Sequence, residues 1–261
     1  MSLPGAGYND ATMRKTPSPL VLLLMLLPAL PVGAACDDPP GNGVIWTNCN
    51  LDGANLEGVD LRQAVLRKTT LRKARLNGAR LDGADLGFVD LTDADLEGAK
   101  LRGALLLAAT LRNARLAQAD LDQARLERSD LYGADLSGAR LDGANLYDAR
   151  LGGANLSSAS LNGAKLERAD LTGANLEKTA LRQASLRQAV LEDAVLRHAD
   201  LTEADLQKAS LVGADLTGAD LTKADLRDAD VFRARFDEAT LSSTMWVDRR
   251  RCRPGSVGTC D

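Results

Sequence analysis

The sequence predicts an all-β protein: a parallel β-helix with four sides and about ten coils, formed by a chain of 261 residues. Two columns of residues predict it. Leucine occupies every fifth position from Leu51 to Leu241, where only Val231 and Phe236 depart from it. A small residue lies two positions before each leucine, and 33 of the 38 residues in this column over 54–239 are alanine. An internal repeat without insertions is typical of a solenoid.

A period of five fits neither a helix nor a flat strand. On an α-helix, five residues advance by about 500°, so the leucines would spread around the whole cylinder. On a flat strand they would alternate between two faces. If the chain turns a right-angled corner after every pentapeptide, every leucine points inward. Four pentapeptides then close one coil, and the next coil stacks on it through parallel hydrogen bonds.

Glycine marks the predicted corners. It occupies the second position after leucine 14 times, for example at Gly53 and Gly58, and the chain has 23 glycines in all. This residue adopts a positive φ without steric cost, as a type II turn requires. The composition of this column therefore supports one tight turn in each repeat.

The repeats "ADLTG", "ANLEG", "ADLEG" and "ANLSS" follow the pattern A-[D/N]-L-x-x. In this pattern the sequence resembles the pentapeptide repeat proteins over residues 50–245. The resemblance implies a right-handed quadrilateral β-helix, and the handedness comes from the resemblance alone. The family's best-known function is DNA mimicry by members that bind type II topoisomerases and lend quinolone resistance.

The N-terminal residues have the layout of a secretory signal peptide. A basic start at Arg14 and Lys15 precedes an apolar run and then the small residues Gly33-Ala34-Ala35. We assign residues 1–35 to this signal and an upstream extension, with Met13 as an alternative start. A membrane anchor and a lipoprotein acylated at Cys36 are the alternatives. The main interpretation predicts a periplasmic or secreted protein with no stable membrane span after cleavage.

The remaining segments are an N-terminal cap over 36–49, the repeats over 50–245 and a C-terminal cap over 246–261. Stacking at about 4.8 Å per coil makes the repeats about 45 Å long. A disulfide needs Cα atoms within about 7 Å. Of the three ways to pair four cysteines, we therefore expect the one that joins neighbours along the chain. Its two bonds are Cys36–Cys49 and Cys252–Cys260.

Aromatic residues continue the leucine column at both ends. Trp46 precedes Leu51 in this register, Phe236 lies within the column, and Trp246 follows Leu241. We expect Trp46, Phe236 and Trp246 to plug the open ends of the coil. Binding of a carbohydrate or an aromatic ligand by the tryptophans is the alternative.

Nothing in the sequence has the spacing of a catalytic or metal site. The one histidine, His198, follows a predicted turn, and the carboxylates lie on a convex surface. There is no Gly-rich phosphate loop and no His/Cys cluster. The sequence therefore predicts a protein that is not an enzyme and has no cofactor.

The charge pattern argues against DNA mimicry. The formal net charge is −4, whereas a phosphate mimic needs a dense negative run. In the stacked coil, Arg75, Asp95, Arg115 and Asp135 form an alternating ladder, and no face accumulates a large charge. We therefore expect no nucleic-acid partner, and we keep a DNA-mimicking gyrase inhibitor as the alternative function.

Two outward-facing groups are candidate binding surfaces. Phe88, Leu105 and Leu107 form a candidate apolar partner patch on adjacent coils. A candidate anionic-surface patch near the C-terminus contains Arg249, Arg250, Arg251 and Arg253. The leading hypothesis is a non-catalytic structural or interaction protein. It would be a monomeric exported rod that displays columns of side chains to a protein or cell-envelope partner.

Overall fold

The computed structural model describes residues 36–261, so the predicted signal peptide over 1–35 lies outside the described residues. Within this part, the chain has isolated parallel bridges of one residue each, and no helix or longer strand. The parallel bridges run from Ile45↔Val65 to Asp225↔Met245, and each of them joins residues 20 apart. Four pentapeptides therefore make one coil, as the period of five predicts.

One hydrogen-bond pattern recurs in each repeat. The Arg75 N–H donates to the Ala54 carbonyl at 2.9 Å, and the Leu76 N–H donates to the Asp95 carbonyl at 2.6 Å. Two further bonds join Gly78 N–H to the Glu97 carbonyl at 2.8 Å and Ala79 N–H to the Leu76 carbonyl at 2.9 Å. The last bond closes the turn. Only the N–H of the residue that follows leucine stays outside this pattern.

The second residue after each leucine is left-handed whether or not it is glycine. Gly58 has φ 65°, but Lys68 has φ 56° and Phe88 has φ 60°. A residue other than glycine in the left-handed backbone conformation costs some free energy. It persists here because the turn bond and the bonds to both neighbouring coils fix the backbone.

The leucine and alanine columns fill the interior. The leucines of the column from Leu61 to Leu226 are at most 1% exposed. Each contributes about 1.5–3 kcal/mol by burial, and the ordering of its repeat offsets most of this. Four buried hydroxyl groups of the repeats bond to backbone carbonyls. The pairs are Thr69 with Trp46, Ser129 with Leu126 at 2.7 Å, Thr179 with Leu156 at 2.8 Å and Thr244 with Leu221 at 2.7 Å.

The N-terminal end is covered by Trp46 and a disulfide. Trp46 is 2% exposed, and its Nε1 donates to the Asp38 carbonyl at 3.2 Å. Cys36 and Cys49 are joined with Cα atoms 5.5 Å apart. The ladder begins within the segment assigned to the cap, because Ile45 already pairs with Val65.

The chain leaves the coil at its C-terminal end. The period of five would place Arg249 in the alanine column and Arg251 in the leucine column, but both are exposed. The tail instead runs back antiparallel, with bridges Met245↔Arg251 and Thr240↔Val257. A disulfide fixes this tail between Cys252 and Cys260, whose Cα atoms are 4.8 Å apart.

Phe236 and Trp246 meet at this end. Their rings lie edge to face, with centroids 5.2 Å apart and planes at 65°. Both residues are half-buried and pack against the core. Both aromatic side chains are thus more exposed than Trp46, although the nearby Leu226 and Leu241 are fully buried.

Candidate interaction surfaces

The Asp and Asn residues before the leucines complete the backbone hydrogen bonding. Each of them accepts a bond from the N–H two residues later, as Asp170 does from Thr172 at 3.0 Å. This is the N–H that the coil pattern leaves over. The same bond is formed at positions 50, 55, 60, 85, 90, 95, 120, 130, 135, 145, 155, 170, 175, 200, 205, 215, 220, 225 and 230. These aspartate and asparagine side chains thus have a structural role as local turn acceptors.

Ion pairs across neighbouring coils interrupt the negative charge. Arg115 bonds to Asp95 at 3.3 Å and to Glu97 at 2.8 Å, while Arg75 pairs with Glu57 at 2.7 Å. Exposed pairs of this kind each contribute about 0–1 kcal/mol. Their main effect is that no long uncompensated acidic column forms on the face that contains Asp95 and Arg115.

The alternation of charges does not extend along the whole chain. Asp200 stacks directly on Asp220, and Asp205 stacks directly on Asp225. Asp200, Asp205 and Asp225 each pair with an arginine, and all four accept a backbone N–H. These contacts offset the repulsion between the stacked carboxylates.

Asp122 is the most buried of the described carboxylates, with 4% exposure. Arg140 and Arg102 both bond to its Oδ2, Arg102 at 3.0 Å, and the Asp142 N–H donates to its Oδ1 at 3.1 Å. Burial alone would raise the pKa of Asp122. The bonds from Arg140 and Arg102 outweigh it and hold the pKa below the ordinary value.

The apolar patch is defined as Phe88, Leu105 and Leu107. Phe88 is 46% exposed and Leu107 is 37% exposed, whereas Leu105 is half-buried. The Phe88 N–H donates to the Leu107 carbonyl at 2.9 Å, so these two residues lie on neighbouring coils. The guanidinium carbon of Arg67 lies 5.8 Å from the Phe88 ring centre. The patch is therefore small, partly covered at one edge and held on a rigid ladder.

Neighbouring arginines of the basic tail have different partners. Arg249 forms two bonds with Asp228, at 3.1 and 3.2 Å, and this contact lowers the pKa of Asp228. Arg250 pairs with Asp248 at 3.2 Å. Arg251 and Arg253 are exposed and form no ion pair with any described residue. Half of the predicted anionic-surface patch is thus already neutralised.

The described residues contain few features of a reactive site. His198 is exposed, and its ring lies over Gly218. Residues 36–261 contain no group of three or more His, Cys, Asp or Glu side chains suited to a metal ion. No helix in the same range is long and apolar enough to cross a membrane.

A sequence model of pentapeptide repeats matches this chain in eight copies between residues 49 and 237. The chain belongs to the pentapeptide repeat family. Together with the 20-residue spacing of the bridges, this match assigns the fold to the quadrilateral β-helix of that family. Among curated proteins, none is significantly similar in sequence to this chain.

Solved structures of other family members are similar to this chain. HetL of the cyanobacterium Nostoc, which is involved in regulating heterocyst differentiation, is 34% identical. The match covers 79% of this chain and 92% of HetL, with a TM-score of 0.49. A protein of the Arabidopsis thaliana thylakoid lumen is 38% identical over 40% of this chain and 72% of its own, with a TM-score of 0.39. QnrB1, a plasmid-mediated fluoroquinolone resistance protein, is 18% identical over 76% of this chain and 89% of its own, with a TM-score of 0.46.

Proposed function

We propose that this protein is a non-catalytic interaction protein: a right-handed rod of about ten coils that displays fixed side-chain columns to a protein or cell-envelope partner. Export to the periplasm or the medium is part of the proposal, supported by two disulfides among the described residues. The apolar patch is the proposed contact.

The apolar patch is the observation that carries the proposal. Two large apolar side chains, Phe88 and Leu107, are well exposed on adjacent coils. Most other outward positions of the repeats are polar, charged or small. Because the backbone beneath them is fixed by the ladder, a partner would bind them with little cost in ordering.

The contact is testable by crosslinking in the cell envelope. A photoreactive residue replaces Leu107 in one variant and Gln207 in a matched control, since both lie in the same column of the same face. We expect an adduct with one defined protein from position 107 and none from position 207. We expect the change Phe88→Lys to abolish this adduct. Equal adducts from both positions would contradict the proposed contact.

Export is tested separately by cell fractionation. We expect a processed chain in the periplasm or medium that migrates faster under non-reducing conditions than after reduction. An uncleaved cytosolic chain would contradict export and would bring back the gyrase-inhibitor alternative. Purified protein added to a DNA supercoiling assay then decides that alternative.

A further inference from the structure

The last coil has one edge that no described residue covers. The tail lies over residues 239–245, and Val247 accepts the last regular bond, from the Asp228 N–H at 3.2 Å. Above the residues between Asp228 and the segment under the tail, the chain no longer follows the coil. We define the open edge as the segment 229–236.

Five backbone groups of the open edge, whose counterparts elsewhere bond to the next coil, have no partner among residues 36–261. They are the carbonyls of Ala229 and Ala234 and the N–H groups of Val231, Arg233 and Phe236. One coil earlier, the Leu211 N–H donates to the Asp230 carbonyl at 2.7 Å, and the Gly213 N–H donates to the Phe232 carbonyl at 2.9 Å. An exposed edge of this kind is a template for another strand.

The side chains of the open edge are also more exposed than their counterparts. Val231, Ala234 and Phe236 are half-buried, whereas the same columns are at most 1% exposed through most of the chain. Phe232 is 61% exposed, more than any other large apolar side chain among the described residues. An added strand would cover these groups.

The charge at the open edge points to an acidic occupant. The guanidinium carbon of Arg233 lies 5.0 Å from the Phe232 ring centre, and Arg233 forms no ion pair with a described residue. Its neighbour Arg235 is paired with Asp237 at 3.0 Å. If the chain's own repeat continued, Arg253 would lie above Arg233, and two like charges would stack. A partner with a carboxylate at that position would pair with Arg233.

We propose that the open edge is a strand-addition site for an extended segment of a partner protein. The segment follows the repeat pattern, with a small residue and a leucine facing inward and an acidic residue above Arg233. Backbone bonds to the edge provide the affinity, and the inward and acidic positions provide the specificity. A second copy of this chain fits less well than a single extended segment. The flat coil end of the second copy would contact the tail strand beside the edge before it reached the edge itself.

Synthetic peptides test this site on the whole protein. The first copies residues 90–99 as DLTDADLEGA, in which the fourth residue corresponds to the position above Arg233. The second, DLTKADLEGA, differs only by a lysine at that position. We expect saturable binding of the labelled acidic peptide in fluorescence anisotropy, at least tenfold tighter than binding of the lysine peptide. In Arg233→Glu we expect this preference to reverse.

The backbone part of the proposal has its own test. Val231→Pro removes an N–H that bonds to nothing among residues 36–261, so we expect unchanged melting but loss of peptide binding. Leu211→Pro, in the same column, removes a bonded N–H and should melt earlier. If Val231→Pro does not fold, the charge reversal at Arg233 still decides the proposal.

Three results would overturn the proposal. They are no binding of either peptide at millimolar concentration, equal binding of both peptides to both forms of Arg233, and self-association that Val231→Pro abolishes. The last would assign the edge to a second copy. None of these results bears on the apolar patch, which lies on a different part of the repeats.

Discussion

Truncation of a central leucine should show how strongly the interior depends on each side chain. Leu146 is fully buried, and its N–H donates to the Lys165 carbonyl at 2.7 Å. Because bonds to both neighbouring coils hold the backbone in place, the site cannot collapse after Leu146→Ala. We therefore expect a loss of about 3–5 kcal/mol, in the upper part of the range for leucine-to-alanine changes.

The matched control is Leu51→Ala in the first coil. Leu51 is half-buried at the end of the column, so its truncation removes less buried area and should cost about 1–2 kcal/mol. Both variants are unfolded in guanidinium chloride and followed by far-UV circular dichroism. Since long repeat arrays can unfold in parts, the slope is compared as well as the midpoint. Equal losses for the two variants would refute the account of a closed interior with weaker ends.

Four further results are expected. Asp122→Asn should cost about 1–3 kcal/mol at pH 7, less than a fully buried pair because both arginines are largely exposed. Since folding lowers the pKa of Asp122, its contribution is complete above the unfolded value near 3.8 and is lost as the pH falls through the folded value. Urea unfolding should thus show the difference from wild type shrinking below about pH 4. Ala144→Phe places a ring in a fully buried site and should lower the unfolding free energy by at least about 1–3 kcal/mol, so unchanged melting would mean that the alanine column is not interior. Asp170→Ala should cost about 0.5–1.5 kcal/mol and Asp170→Asn less, measured by thermal melting. The double change Cys252→Ser and Cys260→Ser should cost about 2–3 kcal/mol and speed hydrogen exchange in residues 240–245, while exchange in central coils stays unchanged.

The architecture could be predicted because the burial requirement is written directly into the sequence. A leucine every five residues is compatible with an inward position only if the chain turns once in each repeat. The 20-residue spacing of the bridges follows from the same argument. In contrast, the function of the aspartates in the repeat pattern was not predicted. Asp170 looks like a surface charge until the one N–H outside the ladder, on Thr172, is identified.

The ends of the molecule were harder to predict than its middle. The repeat pattern indicates that Trp46 and Trp246 lie in the leucine column. It does not indicate how much of the coil end each of them covers. It also does not reveal that the tail returns antiparallel to Met245, since this depends on where Arg249 and Arg251 can reach solvent. The open edge depends on the same path of the tail, which the repeat pattern does not predict.

The fixed 20-residue coil makes the molecule sensitive to the length of any insertion or deletion. Five residues added between Leu107 and Val231 would turn the open edge by one side relative to the apolar patch. Twenty residues added at the same place would keep both on their original sides and only increase the distance between them by about 4.8 Å. Duplication of whole coils can therefore lengthen the protein while preserving the direction in which each surface faces.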